Sequence, residues 1–488
     1  MERKDDGHGS GKEPKALSEH TQLHSTMSHS FHPLFLQRLI HGNGLAHDLY
    51  FEKLRAREFA RLDAQGDIYL DYTGGGLHGS SQVARHMEYL LTRVHGNPHS
   101  VNPTSMASTE AVESTRTKVL EFFNATDDYL CIFTPNASGA LKLVGESYPF
   151  GDDGVYLLTA DNHNSVNGIR EFCAKKGGTF QYAPISKDLT IDDIALEQAL
   201  HRLKGTNKLF AFPAQSNVSG VRHHLNWIRK AKHKGWDVLL DAAAYAPTST
   251  LDLQQVQPDF VSVSFYKIFG FPTGLGALLV RKDAFDKLQK PWYAGGNITL
   301  SSVGGANQFM HGDHQRFEDG TVNYLDIPAI ASGLEFVEQV GMDRINQRVE
   351  SLTDHLFGKL KQLKHANGVP LLKLYGPRDH RGCGGTIAMN FQDADGVLIS
   401  TALVEEQANA RRISLRTGCF CNPGVDEMNH GIGSGQLEAY FDSRAHGDYY
   451  DFIEYSGIRR GAVRVSVGIA TNLSDLEHFL DFAATFIK

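Results

Sequence analysis

The stretch DFVSVSFYKIFGFPTGLGALLV, Asp259–Val280, decides the fold. Phe260, Val261 and Val263 lie in a short apolar run that predicts a buried strand, and Ala277–Val280 predict another. Between them lie a polar and aromatic turn, Lys267, and glycines at 270, 274 and 276. An ammonium group is almost never fully buried without a partner or a function. Burial lowers the pKa of an amine and frees its lone pair, so one reading of Lys267 is a lysine that forms a Schiff base. The ordinary alternative is a solvated lysine in the connection between two strands.

The upstream sequence separates these readings. VLLDAAA, Val238–Ala244, is an apolar strand ending in Asp241, which precedes Lys267 by 26 residues, enough for one strand–loop–strand step. A carboxylate and a lysine at the ends of neighbouring strands is the pair that pyridoxal 5'-phosphate requires. The lysine makes the imine, and the carboxylate keeps the ring nitrogen protonated so that the ring accepts electrons.

SFYKIFGFPTGLGALLV resembles the lysine segment of the class V aminotransferase and cysteine desulfurase superfamily, and within it the N-terminal desulfurase domain of molybdenum cofactor sulfurases. The resemblance runs from about residue 66 to the C-terminus. It implies a fold-type I PLP-dependent α/β transferase: a large domain with a mainly parallel, doubly wound sheet, plus a smaller α+β C-terminal domain. The expected division is an N-terminal arm at 1–45, a PLP-binding domain at 46–330 and a cysteine-bearing domain at 331–488.

Composition narrows the class independently. With 488 residues, 41% hydrophobic and 21% charged, the chain reads as an ordinary soluble globular protein. A net charge of −8 argues against nucleic acid or an anionic membrane as a bulk partner. No apolar run reaches the roughly 18 residues of a membrane span. The N-terminus MERKDDGHGSGKEPK has no apolar signal core. Five cysteines, an odd number, point to a reduced, cytoplasmic protein.

Residues 1–30 are polar and predict a disordered arm, and the irregularly spaced histidines from His8 to His47 do not form a metal motif. Residues 31–62 predict a helical lead-in. DIYLDYTGGG, Asp67–Gly76, predicts a strand running into a turn where glycine permits close approach or positive φ. GNPHS, Gly96–Ser100, is a landmark of the resembled family near its site entrance and subunit interface. Further expected elements are a helix at 108–123, strands Tyr129–Thr134, Val155–Thr159 and Lys208–Pro213, and a helix at 222–234. Beyond these come a long helical run at about 326–364, a strand at 386–391 and a helix at Gly396–Ala410. Strands alternating with helices predict a parallel sheet whose site lies at the strands' carboxyl ends.

Ser138, His163, Asn217, Asp241 and Lys267 all follow predicted strand ends. Asn136, Ala137, Ser138 and Gly139 open a helix and offer backbone N–H groups and a hydroxyl to a phosphate; a plain helix cap is the alternative. The resemblance implies that His163 stacks on the cofactor and moves protons, that Asn217 reaches the cofactor or the substrate carboxylate, and that Ser264 binds the cofactor. It also implies that Thr321 crosses a homodimer interface to the partner's phosphate, and that Arg464, with Arg416, holds the substrate carboxylate. In ISLRTGCFCNPG, Ile413–Gly424, two cysteines in CxC spacing have no second pair for zinc. The family pattern instead places a mobile nucleophilic thiol at Cys421, with Cys419 as second choice and Arg416 lowering the thiol pKa.

The implied activity is desulfuration of L-cysteine to L-alanine, with a persulfide on Cys421 and an acceptor the sequence does not identify. Many desulfurases carry a glutamine where Ala244 stands and a histidine where Tyr266 stands; both departures point to the molybdenum cofactor branch. The chain ends at Lys488, where a full cofactor sulfurase continues into a target-binding domain. That leaves open a lyase of specialised metabolism that cleaves another amino-acid side chain on the same scaffold.

Overall fold

Four of the five strands in the parallel part of a seven-stranded sheet are short, almost wholly buried apolar runs, because both faces of the sheet are covered there and alternation is unnecessary, whereas the edge strand Thr179–Ala183 is largely exposed. In a computed structural model describing residues 42–488, with side chains from Leu49, the strand order is Tyr129–Thr134, Gly276–Arg281, Phe260–Ser264, Asp237–Asp241, Lys208–Pro213, Val155–Thr159 and Thr179–Ala183. Gly276–Arg281 alone runs opposite to the other six strands of this sheet. The eleven residues linking it to Phe260–Ser264 are too few for a helical crossover, so the chain returns antiparallel. The mainly parallel sheet expected from the sequence is present with this one reversal.

Four antiparallel strands make a second sheet, in the order Leu372–Tyr375, Thr386–Phe391, Ala462–Ser466 and Arg416–Gly418. The strand from DIYLDY does not join the large sheet. Ile68–Tyr69 pairs in parallel with Ile413–Ser414, and Asp71 bridges to Ser466. One buried cluster runs through both sheets and the helices between them, including Phe210, Val263, Leu334, Met389 and Phe479.

Several helix bounds differ from expectation. Helix Pro103–Phe122 starts earlier than 108 because Asn102 caps it, accepting from the Ser105 N–H at 3.0 Å, with proline at its first position. The expected run at 326–364 is two helices, Ile327–Val340 and Met342–Leu360, broken at Gly341 with φ +90°. The predicted helices at 222–234 and 396–410 shorten to Asn226–His233 and Thr401–Asn409. The lead-in is a helix Gly42–Glu58, followed by Arg61–Gln65. The expected disordered arm at 1–30, FLQRLI, and the histidines up to His41 lie outside the described residues. Among the described residues no helix is long and apolar enough to cross a membrane, and no cluster could hold a metal ion.

Candidate active site

Lys267 sits in a one-turn helix, Phe265–Phe269, that starts where strand Phe260–Ser264 ends. Its side chain lines a cavity of about 150 Å³ together with Ser138, His163, Asn217 and Asp241. The five residues placed at strand ends by the sequence therefore meet in one space. Burial pushes the Lys267 amine below its ordinary range; Asp241 pulls it back up, and Arg464 and Arg416 push it down further.

The neighbouring GGG turn explains how this lysine is held. The Gly76 N–H donates to the Tyr266 carbonyl at 3.0 Å, and a Cβ on Gly76 would stand 2.8 Å from the Lys267 carbonyl oxygen. None of the three glycines has positive φ, so it is close backbone approach that requires glycine at Gly76.

Asp241 is 9% exposed, and its Oδ1 accepts from the Ser262 hydroxyl and the Ala243 N–H, both at 3.1 Å. His163 is both a helix cap and a lining residue. Its Nδ1 accepts from the Ser165 N–H at 3.1 Å, which leaves Nε2 to carry the proton of the neutral ring. Burial lowers its pKa, Asp241 opposes this, and Lys267 and Arg464 add to it.

At the opening of helix Ala137–Ser147, Asn136 is the cap and accepts from the Gly139 N–H at 3.0 Å. The Ala137 N–H donates to Ser264 Oγ at 2.9 Å, and the Ser138 and Ser165 hydroxyls lie 2.6 Å apart. Asn136, Ala137 and Ser138 border the cavity, so the positive end of the helix dipole lies at its wall. An amine, a buried oriented carboxylate, a flat imidazole and a helix N-terminus around one cavity match a phosphorylated pyridine aldehyde. Lys267 fits its carbonyl, Asp241 its ring nitrogen, His163 its face, and the helix opening with Ser138 its phosphate.

Arg464 is 3% exposed. It donates to the Asn217 carbonyl through Nη1 and to Asp71 Oδ1 through Nη2, each at 2.8 Å. Its Nε is buried and has no partner among the described residues. The same Asp71 carboxylate accepts on Oδ2 from Arg416 Nε at 2.9 Å and Nη2 at 2.5 Å. Arg416 is thus committed to Asp71 rather than to a cysteine. The arginine that opposes the burial-driven rise of the Cys419 pKa is Arg460.

The cysteine loop follows strand Arg416–Gly418. Cys421 is exposed and Cys419 half-buried. The expected mobile loop is tied down at three points: the Cys421 carbonyl accepts from the Asn164 N–H at 2.7 Å, the Phe420 carbonyl accepts from Asn217 Nδ2 at 2.8 Å, and Asn422 Nδ2 donates to Asn217 Oδ1 at 2.9 Å. The Asn217 amide therefore serves the loop in this structure. Thr321 stands apart from the cavity lining. It is exposed, and its hydroxyl accepts from Asn97 of the GNPHS segment at 3.3 Å.

Four residues escaped the sequence reading: Asp71, Ser262, Gln215 and Asn422. Gln215, 3% exposed, lines the cavity and donates to the Ala244 carbonyl at 2.9 Å. Its place beside Asn217 at a strand end was the available signal.

The sequence profile of the family described as Aminotransferase class-V matches residues 68–479. Molybdenum cofactor sulfurase of Homo sapiens is 37% identical over 461 residues, covering 88% of this chain and 50% of that protein. The Arabidopsis thaliana protein of the same name is 35% identical over 473 residues, covering 88% and 57%. The chain spans about half the length of these relatives. Its fold is that of the apo cysteine desulfurase from Thermococcus onnurineus NA1, with a TM-score of 0.75, 24% identity, and coverage of 89% of this chain and 98% of that one. A cysteine desulfurase from Escherichia coli superposes with a TM-score of 0.71 at 19% identity, covering 90% and 99%.

Proposed function

The chain belongs to the aminotransferase class-V family, and on that basis we propose that it is a pyridoxal-phosphate-dependent cysteine desulfurase that converts L-cysteine to L-alanine and leaves the sulfur as a persulfide on Cys421. The observation that carries this reading is the docking of the cysteine loop beside the lysine cavity: the Cys421 carbonyl rests on the amide of Asn164, next to His163. The cofactor, when bound, supplies a sink for the electrons released at the substrate Cα.

The rest falls to the chain. Arg464 offers a fork to the α-carboxylate. Lys267, whose neutral form burial favours, takes the α proton. His163 moves a proton at Nε2. The Cys421 thiolate attacks the substrate sulfur; the new S–S bond forms as the C–S bond breaks, so L-cysteine and a thiol become L-alanine and a persulfide. The relatives' name makes the molybdenum cofactor the first acceptor to test.

The same reading makes the protein a cytoplasmic homodimer in which Thr321 serves the partner's phosphate. The odd cysteine count supports the compartment. The exposed apolar residues Leu91, Val94, Val101 and Met106 support a subunit contact. The test is alanine and sulfide release from L-cysteine under a thiol reductant, for the wild type and Cys421→Ser. Both products from the wild type and neither from the variant uphold the reading. Equal activity, or a cofactor-loaded wild type inert to cysteine, moves the search to other side-chain cleavages.

A further inference from the structure

The residue after the exposed thiol is one of the most deeply buried polar groups in the molecule. Asn422 is 0% exposed. Its Nδ2 donates to the Asp161 carbonyl at 2.6 Å and to Asn217 Oδ1 at 2.9 Å, and its Oδ1 accepts from the Val425 N–H at 3.3 Å, capping helix Pro423–His430. Asp161 lies two residues before His163. Its own carboxylate is fixed by His223 Nε2 at 2.6 Å, with both side chains buried. Asn422 therefore joins the thiol loop to the two segments that bring His163 and Asn217 to the cavity.

Two further observations show that the loop needs such a tie. Phe420 and Cys421 both have left-handed backbones, φ +55° and +54°. For residues with a Cβ this conformation is disfavoured and persists where the surroundings over-determine it. Just beyond, Gly424 packs so closely that a Cβ there would stand 1.9 Å from the Ala160 carbonyl oxygen. The loop is thus seated by backbone contact against the His163 segment, and Asn422 is the side chain that closes the seat.

The geometry points to Asn422 as a positioning residue: it fixes the backbone of Cys421 against the His163 segment, so that the thiol meets the substrate sulfur at a set place. The consequence for turnover rests on the desulfurase reading; the seating of the loop does not. Side-chain placement matters to this degree because an error of about 1 Å at a reacting group costs on the order of 100-fold in rate.

The test uses the full chain loaded with pyridoxal phosphate, as Asn422→Thr and Asn422→Ser. Each variant keeps an oxygen that can cap the helix at Val425 and loses both amide donations. A residue that only caps the helix leaves both variants like the wild type. Positioning predicts unchanged cofactor absorbance and hydrogen exchange at Asn164 and at 419–422 faster by about tenfold or more. It also predicts persulfide on Cys421, read by mass spectrometry after one exposure to L-cysteine, formed about 10- to 100-fold more slowly. Wild-type exchange rates in both variants overturn the proposal, as does faster exchange with undiminished persulfide formation. If one variant fails to fold, the other decides. A wild type that forms no persulfide sinks the desulfurase reading, and the exchange comparison still decides whether Asn422 seats the loop.

Discussion

Asp71→Asn isolates the charge that two arginines share. In the wild type one carboxylate receives three N–H donations, one from Arg464 and two from Arg416. The two halves are not equivalent. Arg416 is 53% exposed, and a pair of that kind is worth about 0–1 kcal/mol. Arg464 is 3% exposed and, when Asp71 is neutralised, keeps its charge with the Asn217 carbonyl and the Phe420 ring, 4.8 Å away, but with no carboxylate. Stranding one member of a buried pair costs about 3–5 kcal/mol. The asparagine oxygen still accepts one hydrogen bond, which returns about 1 kcal/mol. The expected loss is therefore about 2–4 kcal/mol, nearly all of it through Arg464. Urea midpoints at unchanged slope measure it, and a double-mutant cycle with Arg416→Gln is expected to return a coupling below about 1 kcal/mol. In the proposed reaction the KM for L-cysteine rises, because the fork that meets the carboxylate is no longer aimed. A loss below about 0.5 kcal/mol refutes the reasoning, since that is the range of surface substitutions touching nothing.

Lys267→Ala is expected to abolish turnover of every amino-acid substrate, whereas Cys421→Ser stops only sulfur transfer; cofactor absorbance and product analysis separate the two. The Lys267 amine, depressed by burial from its ordinary 10.5, binds its proton less tightly folded than unfolded. Stability of the cofactor-free chain therefore rises with pH across the window from the folded pKa up to 10.5, and Lys267→Met flattens that rise in pH-resolved urea titrations. His163 is likewise depressed by burial from 6.5, so its penalty is full below its folded pKa and fades as pH climbs to 6.5. His163→Gln is expected to remove that slope. Gly76→Ala sets a methyl group against the Lys267 carbonyl oxygen. It should cost about 1–3 kcal/mol and slow cofactor loading, checked by melting and by absorbance titration.

Much of the site could be read in the sequence because parallel strands buried on both faces write themselves as apolar runs. A polar residue just past such a run, such as Asp241 or Lys267, stands out without any alignment. Asp71 did not stand out, since the strand before it is only two residues long and its arginines lie 345 and 393 positions away. Asn422 reads as an ordinary residue before proline, and only the packed loop shows its amide reaching Asp161. Arg416 was expected to lower the pKa of the Cys421 thiol, yet its side chain turns to Asp71, because proximity in sequence says nothing of the direction of a long side chain. The break at Gly341 was within reach, since glycine after an apolar helical run is a common stop signal.

The parallel pairing of Ile68–Tyr69 with Ile413–Ser414 also sets an order of events during synthesis. The ribosome adds about 5–20 residues per second, so roughly 20–70 s separate the emergence of Asp71 from that of Arg416. By then the seven strands between Tyr129 and Arg281 have long left the exit tunnel, with Asp241 and Lys267 among them. The nascent chain can therefore present its lysine and aspartate before either arginine exists, and the half of the site that would grip a carboxylate is the last to be assembled.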